Sequence, residues 1–287
     1  MNDITNPCDF SRPMFPPHRP IEIRPANKVV SIKQRAARLC GCLLGAAVSC
    51  FAVPQAGAQE MKPFTPKKDL KGDWAVDAKS DLPNVLILGD SISIGYTQPV
   101  RKLLKDKANV YRAMRAGGKR VDNCGDTWIG LKGIDAWLGT RHWDVIHFNW
   151  GLWDLCYRDP KVNNQGHRDK VHGKLSTTPE QYEKNLETLV KRLEATGAKL
   201  IWASTTIVPP DEVGRIVGDD VKYNAIAERV MKRHHIPTDD LYTLTKSFGG
   251  KLSAGHGNVH YTDEGYRKIA DQAAASIEKA LAEAKRK

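Results

Sequence analysis

Four aliphatic residues in a row, Val85 to Leu88, lead directly into Gly89-Asp90-Ser91. The run has no polar alternation, so a strand made from it has no face for water. A strand covered on both sides belongs in a parallel sheet with helices above and below it. Further strand candidates lie at Asn109 to Arg112, Asp144 to Phe148, Lys199 to Ala203 and, more weakly, Ile236 to Leu241. Between them, helical patterns cover Pro99 to Lys105, Thr127 to Leu138, Pro179 to Thr196, Asp220 to His234 and Thr262 to Ala284. Pro99 suits a first helical position, Thr178 precedes Pro179 as a cap, and Thr262 stands before two acids. Strand and helix in strict alternation predict an α/β fold, a three-layer α/β/α sandwich with a parallel sheet of about five strands.

In open parallel sheets ligands bind outside the carboxyl ends of the strands. Ser91 falls just past such an end. A serine hydroxyl is a weak nucleophile until a base takes its proton and donors stabilise the oxyanion that follows. His260, in "GNVHYTDEGY", stands on a loop before the last helix and can reach back to the same edge. "NCGDT" places Gly125 after the second strand, where a glycine lets a backbone N–H approach a ligand. "HFNWGLWDL" brings Asn149, Gly151, Trp153 and Asp154 to the end of the third. Singly, these residues read as turns, a loop histidine and a strand-end cap. Their arrival on one edge is what argues for a site.

The order of these pieces resembles the SGNH (GDSL) hydrolase family over Asn84 to Leu281. "GDSISIGY" and "VHYTDEGY" carry the likeness, with looser matches at "GDT" around Gly125 and at Gly151 to Asp154. "WDVIHFNWGL" and "LIWASTTIVP" resemble an exported bacterial subgroup of it. The resemblance implies a flavodoxin-like sandwich and ester or thioester hydrolysis without metal or organic cofactor. It makes Ser91 the nucleophile and His260 the base, with the N–H groups of Ser91 and Gly125 as oxyanion donors. Asp90, Gly151, Trp153 and Asp154 would support the site. The chain departs from the family twice. Trp153 occupies the slot of an oxyanion-binding Asn, for which Asn149 is the substitute if the strand runs on and residues 149, 151 and 153 share a face. Gly257 stands where the acid that orients the histidine belongs. Asp240 and Asp263 are available in its stead and neither is assigned, so dyad and triad both stay open.

Residues 1–58 read as a leader, with Lys33, Arg35 and Arg38 before the apolar run "LCGCLLGAAVSCFAV" and "AGA" at Ala56 to Ala58 as the cleavage site. That layout predicts a periplasmic or secreted protein, with no stable membrane insertion once the signal is cut. Residues 59–83 form a linker and residues 84–287 the hydrolase domain. The leader holds seven Lys and Arg against three acids, so its removal lowers the formal charge from +11 to +7. A diffuse excess of that size argues against nucleic acid and suits anionic envelope surfaces or glycans. Of six cysteines, Cys124 and Cys156 remain, as a disulfide or as two buried thiols. His256 and His260 are four apart, but Gly255 and Gly257 argue against a helix that could present both to a metal. Trp128, Trp150 and Trp153 suit either stacking on a carbohydrate ester or core packing, the latter first for Trp150, and the cations of the basic insert from Cys156 to Thr178 suit either a solvated loop or a clamp on an acidic glycan. The reading is an exported serine esterase acting on acyl, chiefly acetyl, esters of a glycan or small molecule. Its rivals are a lipid or thioester hydrolase and a weakly catalytic glycan-binding module.

Overall fold

The computed structural model describes residues 74–118, 120–161 and 167–284. The leader, its cleavage site and the first part of the linker lie outside them. The strands are β1 (Asn84–Leu88), β2 (Asn109–Arg112), β3 (Val145–Phe148), β4 (Tyr157–Arg158), β5 (Lys174–Leu175), β6 (Lys199–Ala203) and β7 (Thr238–Asp239). Five of them form a parallel sheet in the order β2-β1-β3-β6-β7, with Leu86 paired to both Tyr111 and Ile146. This is the doubly wound, flavodoxin-like order, and it reverses between β1 and β3, where such sheets open a crevice at their carboxyl edge. Val85 to Leu88, Val145, Ile146 and Phe148 are all 0–1% exposed, as a run without alternation requires.

Among the described residues the helices are α1 (Ser91–Leu103), α2 (Thr127–Leu138), α3 (Pro179–Glu194), α4 (Asp219–Arg233), α5 (Leu241–Ser247) and α6 (Asp263–Ala284). α1 packs on α6, while α2 packs on α3 and α3 on α4, which gives the two outer layers. The first contact is close because Gly95 has no side chain; a Cβ there would fall 2.2 Å from the Tyr266 ring.

Two boundaries differ from those the sequence predicts. Pro99 lies inside α1 and not at its start, because Asp90 caps the helix earlier by accepting the Ile92 N–H at 2.9 Å. The segment before α6 holds an additional helix, α5, capped by Asp240, which accepts the Thr243 N–H at 3.0 Å. Thr178 caps α3 as expected, with Pro179 at the first position. The described residues of the basic insert include an antiparallel ribbon of β4 and β5, with a further bridge between Arg158 and Arg168.

Residues 74–83 are tied to the start of β2, since the Asn109 amide donates to the carbonyls of Lys79 at 2.8 Å and Leu82 at 3.0 Å. A cavity of about 280 Å³ beside this segment, lined by Val76, Arg101 and Asn109, lies at the amino edge of the sheet, away from Ser91. Among the described residues no helix is long and apolar enough to cross a membrane.

Candidate active site

Ser91 is the first residue of α1, directly after the turn that ends β1. Gly89 makes this turn at φ +150°, and a Cβ on it would stand 2.8 Å from Ser93 Oγ. From β2 the buried Arg112 guanidinium fastens the turn, donating to Gly89 O and Ser93 Oγ, both at 2.7 Å, and to Asp90 O at 3.1 Å. Asp90 is buried as cap, and burial raises its carboxyl above the usual range. Ser91 is thereby held at a helix N-terminus, where amide N–H groups and the helix dipole favour negative charge.

The Ser91 Oγ lies 2.8 Å from His260 Nε2, across 169 positions of chain. On the other side of the ring, His260 Nδ1 lies 2.8 Å from Asn258 Oδ1, and the same oxygen accepts the His260 backbone N–H at 3.0 Å. A backbone N–H demands an acceptor, which fixes the oxygen of the Asn258 amide at that place. The ring must therefore carry its proton on Nδ1 and offer a lone pair on Nε2 to the serine hydroxyl. Burial, followed by the cations of Arg215 and Arg168, outweighs Asp90 and holds the imidazole pKa below its ordinary 6.5. His260 is neutral at neutral pH, as a general base must be.

Gly257 has no room for the acid that the family places there. Its φ is +60°, and a Cβ would fall 2.6 Å from the carbonyl oxygen of Asp211. Asp240 is engaged as the α5 cap and Asp263 is an exposed residue of the first turn of α6. The orienting group is the carboxamide of Asn258, which sequence reasoning passed over. The signal was there: an Asn side chain commonly accepts the backbone N–H two residues on.

Gly125 sits at φ +58° before α2, and its N–H donates to Asn123 Oδ1 at 3.0 Å. The Asn149 amide donates to Ala203 O at 2.7 Å and to Thr205 Oγ1 at 3.3 Å, so both of its hydrogens serve the end of β6. The premise that placed Asn149 beside Gly151 and Trp153 fails because β3 ends at Phe148 and residues 152–155 form a turn. Gly151 is pressed against Thr205, whose Oγ1 lies 2.0 Å from where a Cβ would be. Trp153 is half-buried, with the Arg158 guanidinium 4.6 Å above its ring. Asp154 is fully buried, accepts the Thr127 N–H at 2.9 Å and the Thr127 hydroxyl at 2.6 Å, and so anchors the start of α2; burial pushes its carboxyl pKa up to about 7. Trp150 is core, its indole donating to Cys124 O at 3.2 Å. Cys124 and Cys156 are both buried and free.

A buried ion cluster lies behind the histidine loop. Glu212, 0% exposed, takes Arg168 from the insert and Arg215 at 2.9 Å, while Arg215 Nε donates to Leu152 O at 2.6 Å. Glu212 and Arg215 stand three residues apart, while Arg168 comes from 44 positions away and no motif marks the set. They join the insert, the turn after β3 and the loop that touches Gly257.

The family model for the GDSL-like lipase/acylhydrolase family matches residues 87–268. Solved structures share the fold at low identity. An acetyl xylan esterase, AlAXEase, superposes with a TM-score of 0.54 at 16% identity, over 68% of this chain and 99% of that one. A lipase/acylhydrolase from Enterococcus faecalis gives 0.52 at 17%, over 69% and 96%. An acetyl xylan esterase from Geobacillus stearothermophilus gives 0.53 at 14%, over 68% and 94%. No curated protein matches the sequence. With the family matched over most of the domain, the chain belongs to the GDSL-like lipase/acylhydrolase family and is a carboxylic ester hydrolase.

Proposed function

We propose that the protein is an exported serine esterase of a bacterial envelope, acting in the periplasm or outside the cell. It removes acyl groups, chiefly acetyl, from a carbohydrate or small-molecule ester. The observation that carries the reading is the 2.8 Å contact between Ser91 Oγ and His260 Nε2. Ser91 attacks the ester carbonyl while its proton passes to Nε2. The imidazolium that forms keeps its Nδ1–H on Asn258. The oxyanion takes the Ser91 N–H at the start of α1, and the Gly125 N–H once the Asn123 side chain has turned away. His260 then protonates the leaving alcohol, and water releases the acyl group by the reverse sequence. Asn149 has no part in this scheme.

Exposed Val213, Ile216 and Val217 on the loop around Arg215 favour the lipid-ester reading as the alternative. Rates across p-nitrophenyl esters of rising chain length, set beside acetate release from acetylated sugars, decide between them. The proposal expects acetate release, loss of it in Ser91→Ala, and rates that fall with chain length. Rates that rise with chain length, with acetylated sugars left intact, would overturn it in favour of lipid.

A further inference from the structure

The ribbon beside the site carries charge that its own partners do not balance. Its register sets Lys174 opposite Arg158, and Arg158 opposite Arg168. Residues directly opposite on antiparallel strands send their side chains to the same face, where like charges repel. Three cations therefore stand in one row. Arg168 is answered by Glu212, which it shares with Arg215. Among the described residues Arg158 is answered by nothing of that kind: its Nη1 is buried and has no hydrogen-bond partner among them. A buried guanidinium N–H without an acceptor is costly. The carboxylate that faces it, Asp126, caps α2 by accepting the Ile129 N–H at 2.9 Å. Burial and the neighbouring cations Arg215 and Arg168 act together on Arg158, lowering its pKa.

This guanidinium is also aimed. Its Cζ lies over Trp153, 4.6 Å from the ring centre, a cation–π contact that holds the guanidinium against that ring. Trp153 follows β3 at the crevice, Asp126 follows Gly125, and Arg168 and Arg215 are near enough to His260 to affect its titration. The alcohol portion of an ester bound at Ser91 would extend toward these groups.

The geometry points to an anion subsite at Arg158 on its Trp153 platform, backed by Arg168, that receives the carboxylate of an acidic sugar carrying the acyl ester. A planar guanidinium fork matches a carboxylate by two parallel hydrogen bonds, which favours a uronate over a neutral ring. The inference rests on Ser91 being the esterase nucleophile, and it deepens that reading by naming the substrate as an acylated acidic glycan.

The test compares acetylated galacturonic acid with its methyl ester, which share a ring and differ in charge. In the wild type kcat/KM is expected to be about tenfold or more higher for the acid, a factor worth about 1.4 kcal/mol. Arg158→Gln is expected to bring the ratio of the two close to one, Arg158→Lys to keep part of it, and salt to lower it. The ratio is the readout because it cancels any general loss of activity in the variants. A wild-type ratio near one, or a ratio that Arg158→Gln leaves unchanged, overturns the subsite while leaving the esterase intact. Calorimetry on Ser91→Ala with free galacturonate and galactose separates the two claims. Galacturonate binding that disappears in Ser91→Ala/Arg158→Gln supports the subsite even if the wild type cleaves neither ester, in which case the esterase reading alone has failed. Tighter binding of inorganic sulfate or phosphate than of galacturonate overturns the carboxylate assignment.

Discussion

The carbonyl oxygen of Asp211 lies 2.6 Å from the position a Cβ would take on Gly257. This contact explains why the acid of the family pattern is missing. The histidine loop is pressed against the 211–215 loop, which is itself locked by Glu212 and Arg215. Restoring the acid by Gly257→Asp therefore fails on two grounds, a left-handed backbone and a collision with main chain. The variant is expected to lose thermal stability and esterase activity together. A gain in kcat with unchanged melting temperature would contradict the packing described.

Asn258 does the work of that acid through geometry, holding the ring tautomer with a neutral oxygen. Asn258→Ala leaves the Nδ1 proton without its acceptor and frees the ring to turn; kcat/KM is expected to fall about ten- to hundredfold, or about 1.4–2.7 kcal/mol. Asn258→Asp keeps the acceptor and adds a charge that raises the imidazole pKa, so activity is expected to persist with its acid limb at higher pH. The pH–rate profiles of both variants check this. Equal losses in the two would show that Asn258 serves only the loop.

The wild-type acid limb is expected below the usual histidine value. Only the neutral imidazole is active as base, and burial with Arg215 and Arg168 holds its pKa below 6.5. Removing a cation reverses part of that shift. Arg168→Gln is expected to move the acid limb of kcat/KM upward, and a shift downward would contradict the assignment.

Asp154 provides a stability test apart from catalysis. Its folded pKa is raised to about 7 by burial, so below the unfolded carboxylate value the proton is bound in both states. As pH rises through about 4 to 7 the unfolded chain releases it first, and this contribution to stability declines. Asp154→Asn, neutral throughout and still able to accept from Thr127, is expected to flatten the fall in melting temperature across that window. An unchanged slope would place the pH dependence elsewhere.

Arg112 fastens the nucleophile turn. Arg112→Met leaves Gly89 O, Asp90 O and Ser93 Oγ without its donors. A loss of about 2–4 kcal/mol in urea unfolding is expected from buried groups left unpaired. A loss under about 0.5 kcal/mol, within the range of surface changes, would mean the turn stands without it.

The sheet was legible because unbroken apolar runs admit little else than buried parallel strands, and the edge they end on directed attention to Ser91 and His260. What escaped the sequence depended on contacts at long range or on competition between local signals. Pro99 suggested a helix start, but the Asp90 cap lay earlier and prevailed. Asn149 was placed by extending a strand that in fact turns after Phe148. Asn258 was hidden by the search for an acid one residue earlier, although its amide needed only the local i to i+2 reach. Arg112 is a buried charge whose partners come from the turn after β1, and Glu212, though close in sequence to Arg215, is completed by Arg168 from the insert; no motif in the chain marks either.

The proposed catalysis needs a Ser91 hydroxyl made reactive by the neutral imidazole beside it, and a fluorophosphonate reads that directly. Intact mass and peptide mapping of the folded protein are expected to show one adduct, on Ser91. The adduct should be absent in Ser91→Ala and form at least about a hundredfold more slowly in His260→Ala. No adduct, or an adduct on another residue while Ser91 remains free, would contradict it.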